Sequence, residues 1–327
     1  MKSLRIAVVG AGIAGLTCAR RLRAAGHEVD VFDKGRAPSG RVATRRADGF
    51  AFDHGAQYCT VRDPLFGEQV EAWVRDGTAG EWKGRFGTLR AGAVEAARGS
   101  TVRYVGRPGM SALARALARD LRLHASTRVE RIGRSPDGWR LHDDTGRELG
   151  RFDVTLVTAP APQAATLLAP VPELARRAAG VPMQPCWAVL AGFGGDLEAP
   201  VDGAFVVDSP LSWVARNSSK PDRPTAESWV LHAGPEWSRA HLDLEGEAVT
   251  QRLLAALGEA LGRPLPAPAY VAGHRWRYAS PDPSLEERCL FDPDERVGAA
   301  GDWCGGPRVE GAFLSGAALA RALLERT

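Results

Sequence analysis

The sequence predicts an α/β protein in which a parallel sheet flanked by helices carries an inserted antiparallel sheet and helix. Three observations predict this fold class. Close to the N-terminus, a short apolar strand enters a glycine-rich turn and a helical pattern. A second apolar strand, at residues 296–302, precedes a helix through residue 325. Between residues 166 and 290, tryptophan-containing strand segments surround one long helix, which is typical of an antiparallel sheet.

The N-terminal segment has the order of a Rossmann-type dinucleotide-binding unit. Residues 4–9 form an apolar run that continues into Gly10-Ala11-Gly12-Ile13-Ala14-Gly15, a G-x-G-x-x-G motif. A helical pattern follows, and residues 28–32 then form a second strand that ends at Asp33. Because the motif lies between two strands and opens a helix, it indicates a dinucleotide-binding site more strongly than a glycine-rich turn in an unrelated α/β protein would. The motif alone does not distinguish FAD from NAD.

Each glycine of the motif has a physical role in dinucleotide binding. Gly10 permits the tight turn, Gly12 lets the backbone approach a pyrophosphate, and Gly15 lets the helix pack closely on the strand. The helix N-terminus offers unpaired N–H groups and a partial positive charge to the phosphates. Asp33 is placed to accept a hydrogen bond from a ribose hydroxyl, and its charge would repel a 2′-phosphate. In the loop that follows, the guanidinium of Arg41 suits phosphate oxygens, the alternative being a solvent-facing arginine.

Composition limits the function classes. The chain has 327 residues, of which 44% are hydrophobic and 25% charged, with a net charge of +3, as expected for two domains with a substantial core. We find no basic run with interleaved aromatic residues, so nucleic acid is not an expected partner. No apolar run is long enough for a membrane span, and the first strand leaves no room for a signal peptide.

Cysteine usage predicts a reducing compartment, and we expect a cytoplasmic protein. The five cysteines are scattered, odd in number and without a C-x-x-C pair, which argues against both a disulfide framework and a zinc site. We expect no bound metal.

The remaining elements follow in chain order. A helix is expected over residues 62–76, with Phe66, Val70 and Trp73 on one face. Residues 81–100 are glycine-rich and carry no clear pattern. Further helices are expected at residues 110–120 and 245–261, and strands at residues 121–126, 127–132, 139–141, 152–159, 186–193, 204–208, 213–216, 229–233 and 270–276.

These motifs resemble the two-domain flavoprotein oxidoreductases of the amine-oxidase type, and among them the bacterial renalases. The resemblance extends over nearly the whole chain. It is carried by residues 10–15, 33–34, 40–41, 44–45, 53–58, 105–111, 158–163, 208–211, 215–217, 219–221, 229–232, 274–276, 301–304 and 308–312. Ser39 is a departure, because the pattern usually has a glycine before Gly40, and it affects only the local loop conformation.

The resemblance implies noncovalent FAD and a division into two domains. The FAD-binding domain would comprise residues 1–60, 101–165 and 295–327, and the substrate domain residues 61–100 and 166–294. The implied cofactor-binding residues are Gly10, Ala11, Gly12, Ile13, Ala14, Gly15, Asp33, Lys34, Gly40, Arg41, Ala56, Gln57, Val129, Ala159, Gly301, Asp302, Val309, Glu310, Gly311 and Ala312.

Some of these residues have a specific implied role. The backbone of Val129 would bind adenine, and Asp302 would reach the ribityl–phosphate region. Residues 309–312 would place the start of the final helix under the flavin N1–C2=O edge. A helix N-terminus there stabilises the negative charge of a reduced flavin. The alternative is that this helix merely closes the sheet.

The resemblance also implies a reaction. Bacterial renalases oxidise 1,2- and 1,6-dihydro isomers of NAD(P)H by hydride transfer to flavin N5, and O2 is reduced to H2O2. The nitrogen lone pair of the dihydropyridine drives the hydride out, so no catalytic acid or base is expected. The protein has to hold a flat ring against the flavin and exclude water. The dihydronicotinamide and O2 are the expected partners, with the protein a monomer or homodimer.

Candidate substrate-binding residues are aromatic side chains and an amide. Tyr58, Trp187 and Trp276 would form aromatic walls, and Gln57 would orient a carboxamide. Each of them is equally a candidate for core packing. Arg107 would contact substrate phosphates, unless it is a surface arginine.

Three other functions are compatible with parts of the sequence. An amine oxidase would use a lysine linked through water to flavin N5, but none of Lys2, Lys34, Lys83 and Lys220 lies in a core-strand context, and Lys220 is in a polar loop.

Covalent attachment of the flavin through Cys304 is conceivable, although Cys304 follows Gly-Asp near the phosphates. Two further functions are alternatives. A binding protein without turnover would leave the aromatic insertion unexplained. An NAD-dependent dehydrogenase would leave the C-terminal strand and helix without a purpose.

Overall fold

The structure is a computed structural model that describes residues 3–97, 99 and 101–326. Lys2 and the outermost domain limits at residues 1, 100 and 327 lie outside this range. The strands are β1 (Arg5–Val9), β2 (Glu28–Phe32), β3 (Thr44–Ala47), β4 (Phe50–Asp53), β5 (Ala79–Glu81), β6 (Phe86–Arg90), β7 (Ala93–Ala96), β8 (Tyr104–Gly106), β9 (Arg122–His124), β10 (Val129–Ser135), β11 (Gly138–Asp143), β12 (Glu148–Phe152), β13 (Val154–Val157), β14 (Met183–Gly192), β15 (Gly203–Val206), β16 (Leu211–Arg216), β17 (Ser228–Ala233), β18 (Tyr270–Pro281), β19 (Leu290–Asp292) and β20 (Val297–Ala299). The helices are α1 (Ile13–Ala24), α2 (Pro64–Arg75), α3 (Ser111–Ala118), α4 (Ala161–Leu167), α5 (Pro172–Ala179), α6 (Pro235–Ala240), α7 (Gly246–Leu261) and α8 (Val309–Leu324).

A mainly parallel sheet joins the two ends of the chain. Within the described residues its strand order is β19-β20-β13-β1-β2-β9. β1 lies between β13 and β2, and the ends of these three strands are aligned, since Val9 pairs with both Val157 and Phe32. β20 is parallel to β13, so the apolar strand predicted near the C-terminus lies in the same sheet as the first strand. The expected α/β fold class is confirmed.

Helices α1 and α8 pack together on one face of this sheet. Their contact is close because Gly316 has no side chain: a Cβ there would lie 2.1 Å from the carbonyl oxygen of Ala14. Phe313 of α8 also contacts Phe66 of α2, with the ring centroids 5.3 Å apart. The other face is covered by a three-stranded sheet of β10, β11 and β12 and by α4 and α5, around a separate apolar core.

A seven-stranded sheet forms the second layer of the described molecule. Its order is β18-β14-β17-β16-β15-β6-β7, with antiparallel pairing except between β15 and β6. Helix α7 covers one face, where Val249, Leu253 and Leu257 are fully buried against Trp229. The opposite face points toward the parallel sheet. This is the inserted antiparallel sheet and helix that the sequence predicts.

Several local expectations need correction. The predicted strand at residues 152–159 is confirmed as β13, but it is shorter than expected, and Phe152 ends β12, which belongs to a different sheet. Residues 81–100, which carried no clear pattern, supply β6 and β7 at the edge of the antiparallel sheet. The helix predicted over residues 62–76 is confirmed as α2, which begins after Asp63, whose carboxylate accepts from the backbone N–H of Leu65.

The predicted domain limits remain a prediction. β6 and β7 join the antiparallel sheet, as expected for residues 61–100, whereas α2 packs against α8. β19 lies in the parallel sheet, although residues 166–294 were assigned to the substrate domain. Among the helices of the described chain, none is both long and apolar enough to cross a membrane. The five cysteines are all unbridged.

Candidate functional site

A long cavity of ≈ 1210 Å³ lies between the two large sheets. At one end it is lined by the glycine-rich turn that follows β1, where parallel strands end at their carboxyl edge. At the other end it is lined by β15, β16, β17 and β18 of the antiparallel sheet. The carboxyl edge of a parallel sheet is where α/β proteins bind nucleotides. The cavity is therefore the candidate site.

The three glycines of the motif are glycines for different structural reasons. Gly10 has φ +118°, and a Cβ there would lie 2.7 Å from the hydroxyl oxygen of Thr158. A Cβ on Gly15 would lie 2.0 Å from the carbonyl oxygen of Gly10. Gly12 lines the cavity, and no described atom lies within 4 Å of the position its Cβ would take. Gly10 and Gly15 thus permit the fold, whereas Gly12 keeps space open for a ligand at the start of α1.

Asp33 is held at the cavity wall by two backbone N–H groups. Its Oδ2 accepts from Ala11 at 2.6 Å, and its Oδ1 accepts from Gly35 at 2.6 Å. These bonds fix the carboxylate beside the glycine turn, next to Lys34, which also lines the cavity. A carboxylate in this position suits a ribose hydroxyl donor.

Arg41 and Asp302 form an ion pair on the cavity wall. The two guanidinium N–H groups of Arg41 lie 2.8 and 2.7 Å from the carboxylate oxygens of Asp302, and Arg41 also donates to the carbonyl oxygen of Ala279 at 3.1 Å. Arg41 is thus not a solvent-facing loop arginine. The pair places one cation and one anion where a phosphate and a ribityl hydroxyl would be bound.

The start of α8 lies against the same cavity through Val309 and Ala312. No side chain caps this helix at Arg308, so its first N–H groups remain available to a ligand. Glu310 has a different role, because its carboxylate accepts from the backbone N–H groups of Arg62 and Asp63 at 2.7 and 2.8 Å. The glycine turn, the acid after β2 and this helix start fit a dinucleotide carrying a flavin ring.

Most of the predicted cofactor-binding residues line this cavity. They are Gly10, Gly12, Ile13, Ala14, Asp33, Lys34, Gly40, Arg41, Ala56, Gln57, Val129, Ala159, Gly301, Asp302, Val309 and Ala312. Behind the wall lie Ala11, Gly15, Glu310 and Gly311. Ala11 donates its backbone N–H to the carboxylate of Asp33. Gly311 packs tightly against the backbone of Gly306, because a Cβ added at Gly311 would lie 2.1 Å from the carbonyl oxygen of Gly306.

The predicted substrate-binding residues divide into two groups. Gln57, Tyr58 and Trp276 line the cavity. Trp187 does not, because it lies on the α7 face of β14, where its indole N–H donates to the carbonyl oxygen of His241 at 3.0 Å. Arg107 is also away from the cavity wall, paired at 2.6 Å with Asp222 on the surface. The structure therefore corrects the expected roles of Trp187 and Arg107.

The amide of Gln57 is occupied by the protein. Its Nε2 donates to the carbonyl oxygens of Asp53 and Gly55, the latter at 3.1 Å, and its Oε1 accepts from the ammonium of Lys220 at 3.1 Å. Both N–H hydrogens are used, so Gln57 has none to offer a ligand. The expected role of Gln57 in orienting a carboxamide stays a prediction, and its N–H groups are not free to serve it.

Behind Gln57 lies a buried cluster of two cations and one anion. Lys220 and Arg223 donate to the same oxygen of Asp53 at 3.1 and 2.7 Å, and all three side chains are fully buried. Burial lowers the pKa of Lys220 to about 8, partly offset by Asp53. Burial alone would raise the pKa of Asp53, but Lys220 and Arg223 hold it well below its ordinary range. Lys220 lies in a polar segment before Pro221, as expected, directly after a short 3-10 helix at Asn217–Ser219, but its side chain points into the interior, which corrects the interpretation of a lysine outside the core.

The far end of the cavity is lined by rings that sequence reasoning did not select. The carbonyl oxygen of His54 accepts from the indole N–H of Trp276 at 2.9 Å, and it lies 3.1 Å from Nε2 of His232. His274 stands edge-on to the Trp276 ring at 4.3 Å. Burial and the neighbouring His274 lower the pKa of His54 to about 4. Burial and the nearby Lys220 do the same for His232, so both rings are neutral at pH 7.

Charge is distributed unevenly along the cavity. Among the described residues, the carboxylates in its wall are Asp33, Glu130 and Asp302, and each lies at the glycine-turn end or on the loop after β20. The antiparallel-sheet end contributes aromatic rings, imidazoles, Ser212 and two arginines, Arg275 and Arg277, without a carboxylate in the described wall. A cationic ligand group would find no counter-charge there.

Comparisons with known proteins agree with this architecture. The sequence profile of NAD(P)-binding Rossmann-like domains matches residues 8–74, and that of the flavin containing amine oxidoreductases matches residues 73–324. A putative protoporphyrinogen oxidase from Exiguobacterium sp. 255-15 superposes with a TM-score of 0.81 at 16% identity, covering 100% of both chains. Putrescine oxidase bound to putrescine superposes with a TM-score of 0.74 at 15% identity, covering 99% of this chain and 100% of that one.

A curated relative matches this chain over a short stretch. The 4,4'-diapophytoene desaturase of Staphylococcus haemolyticus is 47% identical over 60 residues, which is 18% of this chain and 12% of that protein. The match thus spans about an eighth of the desaturase. At these identities the solved structures establish a shared two-domain fold.

Proposed function

Because the chain belongs to the flavin containing amine oxidoreductase family, we propose that it is an FAD-dependent oxidase of 1,2- and 1,6-dihydro isomers of NAD(P)H. Membership of this family shows that the chain is a flavin-dependent oxidoreductase. The proposal adds the substrate, O2 as the electron acceptor with H2O2 as product, and noncovalent attachment of FAD. It also places the enzyme in the cytoplasm, as a monomer or homodimer, in keeping with its unbridged cysteines.

The residues at the glycine-turn end provide for FAD. Gly12 and the start of α1 leave room and N–H groups for the pyrophosphate, and Asp33, held by the N–H of Ala11, would accept from the adenosine ribose. The first N–H groups of α8, which no side chain caps at Arg308, would stabilise the flavin ring edge that becomes negative on reduction. FAD, when bound, supplies the hydride acceptor and passes the two electrons to O2.

Noncovalent attachment is supported by the cysteines near the cavity. Cys304 is buried outside the described wall, so it is not offered to a ligand. Cys186 lines the cavity, but burial raises the pKa of its thiol to about 12. A thiol that stays protonated is a weak nucleophile, because the thiolate is the reactive form.

The observation that carries the substrate proposal is the far end of the cavity, whose described wall is rich in rings and contains no carboxylate. A dihydronicotinamide is a flat, neutral ring, and the wall there includes Tyr58, Trp213, Trp276 and neutral imidazoles. Stacking and enclosure are what these side chains provide. Because the dihydropyridine nitrogen expels the hydride, the residues need only hold the ring at reacting distance and exclude water.

The test is an anaerobic comparison of reductants. Flavin-loaded protein is mixed with 1,2-dihydro-NAD, 1,6-dihydro-NAD, a primary amine and putrescine, and the flavin absorbance is followed. We expect fast bleaching by at least one dihydro isomer, stoichiometric NAD⁺, and slow or absent bleaching by the amines. Fast reduction by an amine together with inertness toward both dihydro isomers would reject the proposal. A preparation that takes up no FAD would reject it as well.

A flavin-dependent amine oxidase is the second candidate, and one observation favours it. Lys220 is a buried amine with a pKa of about 8, and it donates to Gln57 at the cavity wall. Such a group suits proton transfer from a substrate amine. In that case Lys220→Met would abolish reduction by amines, whereas dihydro-NAD reduction needs no base and would persist.

A further inference from the structure

The floor of the far end of the cavity is one row of side chains that crosses five strands. Phe205 of β15 pairs with Trp213 of β16, and Trp213 pairs with His232 of β17. His232 pairs with Ala188 of β14, which pairs with His274 of β18. Directly paired residues of antiparallel strands share a face. The four rings of this row all line the cavity, and the small Ala188 separates the two imidazoles.

Hydrogen bonding fixes the protonation of the central ring of this row. Nε2 of His232 lies 3.1 Å from the carbonyl oxygen of His54, and a carbonyl oxygen only accepts. Nε2 therefore carries the hydrogen. In a neutral imidazole the other nitrogen, Nδ1, then has a lone pair and no hydrogen.

That Nδ1 is left for a ligand. In the part of the chain that the structure describes, Nδ1 of His232 has no hydrogen-bond partner. Nδ1 of His54 also lacks a partner but is fully enclosed by protein, whereas Nδ1 of His232 is not enclosed. His232 is a wall residue of the cavity. Its ring cannot swing away easily, because Nε2 is anchored on His54, whose carbonyl oxygen also holds the Trp276 indole. The cavity floor thus presents a fixed acceptor without a proton.

The geometry points to His232 as the residue that recognises a primary carboxamide on the ring substrate, with Nδ1 accepting one of its N–H hydrogens. This inference rests on the proposed function, because the dihydronicotinamide ring carries such a carboxamide. The neighbouring Gln57 is already bonded within the protein through both N–H hydrogens and, at Oε1, to the ammonium of Lys220. A carboxylate at the same ring position would bring its own lone pairs against Nδ1 and offer no hydrogen.

The acceptor stays neutral for reasons visible in the structure. Burial disfavours the charged imidazolium, and the ammonium of Lys220 lies close enough to oppose a second positive charge. Lys220 is itself held by Asp53 and Gln57, so its position is fixed. His232 is thus kept as an acceptor at the pH of most assays.

The test uses two variants that separate the two nitrogens of His232. His232→Gln keeps an N–H donor for the His54 carbonyl oxygen but removes the acceptor at the Nδ1 position. His232→Asn places an amide oxygen near the Nδ1 position and loses the distal donor. His241→Asn, on the α7 side of the sheet, is the matched control. The readout is binding of NAD⁺, and of the analogue with a ring carboxylate in place of the carboxamide, to flavin-loaded protein by perturbation of the flavin spectrum.

We expect the unmodified protein and the His241 variant to bind NAD⁺ roughly tenfold or more tightly than the carboxylate analogue, as the loss of one well-placed hydrogen bond predicts. In His232→Gln this preference should fall to about twofold or less through weaker NAD⁺ binding, whereas His232→Asn should retain part of it. Equal binding of the two ligands by the unmodified protein, or a preference undiminished in His232→Gln, overturns the inference.

The inference and the proposed function fail in different ways. Reduction by a dihydro isomer, with full carboxamide preference in His232→Gln, removes only the role of His232. Absence of reduction by both isomers rejects the proposed function, whatever the binding data show. Absence of binding of both nucleotides to the unmodified protein rejects the inference directly.

Discussion

Arg41 and Asp302, which are 261 positions apart in the sequence, face each other across the cavity wall in a two-bond ion pair of 2.7 and 2.8 Å. Arg41 follows β2 near the N-terminus, and Asp302 follows β20 near the C-terminus. The side chain of Asp302 is 11% exposed and that of Arg41 28% exposed, so solvent screens the pair only in part. The pair joins the two chain ends at the point where FAD phosphates and ribityl are expected.

We expect Arg41→Ala and Asp302→Ala each to weaken FAD binding by about tenfold or more, because each removes charge-assisted hydrogen bonds from the site. FAD affinity is measured by equilibrium dialysis of flavin-free protein. The double variant should bind FAD more tightly than the sum of the two single effects implies, since the residues act as a pair. Strictly additive losses would show that they act independently.

Gly12→Ala and Gly15→Ala should separate cofactor binding from folding. A methyl group on Gly12 meets only the open cavity, so we expect normal folding and FAD affinity lowered by about tenfold or more. A methyl group on Gly15 meets the carbonyl oxygen of Gly10 at 2.0 Å, so that variant should lose about 1–3 kcal/mol of folding free energy. Urea unfolding of the flavin-free proteins and FAD titration check the two expectations. Equal unfolding midpoints for the two variants would contradict this distinction.

Asp53→Asn should be among the most destabilising single changes in the chain. It leaves Lys220 and Arg223 adjacent in a dry interior without their anion, and breaking such a buried pair costs about 3–5 kcal/mol. Lys220 limits the cost by losing its proton. The matched control is Asp222→Asn, which breaks the exposed pair with Arg107 and should have little effect. The free energy of unfolding from urea titration decides, and a similar loss in both variants would refute the prediction.

Stability should fall as the pH is lowered from about 6.5 toward 4. His54 and His232 have folded-state pKa values of about 4, against an ordinary value of 6.5. In this window the unfolded chain binds protons that the folded chain excludes, so the free energy of unfolding decreases with decreasing pH. We expect a loss on the order of 2 kcal/mol for each ring. Unfolding midpoints at several pH values test this, and the pH slope should flatten in His232→Gln.

The sequence predicted the parallel half of the molecule well, because its signals are local. A glycine turn between two apolar strands specifies β1, α1 and β2 almost without reference to the rest of the chain. Gly12, Asp33 and Arg41 could thus be selected by position in the motif. The strand at residues 297–299 was found for the same reason, since a short buried strand before a helix is recognisable on its own.

The substrate end of the site was predicted less well, because it depends on strand register. Trp187 and Cys186 are neighbours in sequence, yet Cys186 faces the cavity and Trp187 faces α7. Choosing between them requires knowing which face of β14 meets the parallel sheet. His232 gave no local signal either, since its role depends on the carbonyl oxygen of His54, 178 positions away. The burial of Lys220 was missed because its loop is polar and only tertiary packing encloses it.

The contact between Ala14 and Gly316 also bears on how the protein is made. On the ribosome, β1 and its glycine turn are made well before their partners at residues 297–324. Until then the nascent chain has only part of the phosphate end of the cavity and no helix start to meet the flavin ring. We therefore expect the complete cofactor site to form only after residues 297–324 have been made, and until then the face of α1 that α8 covers lacks this partner.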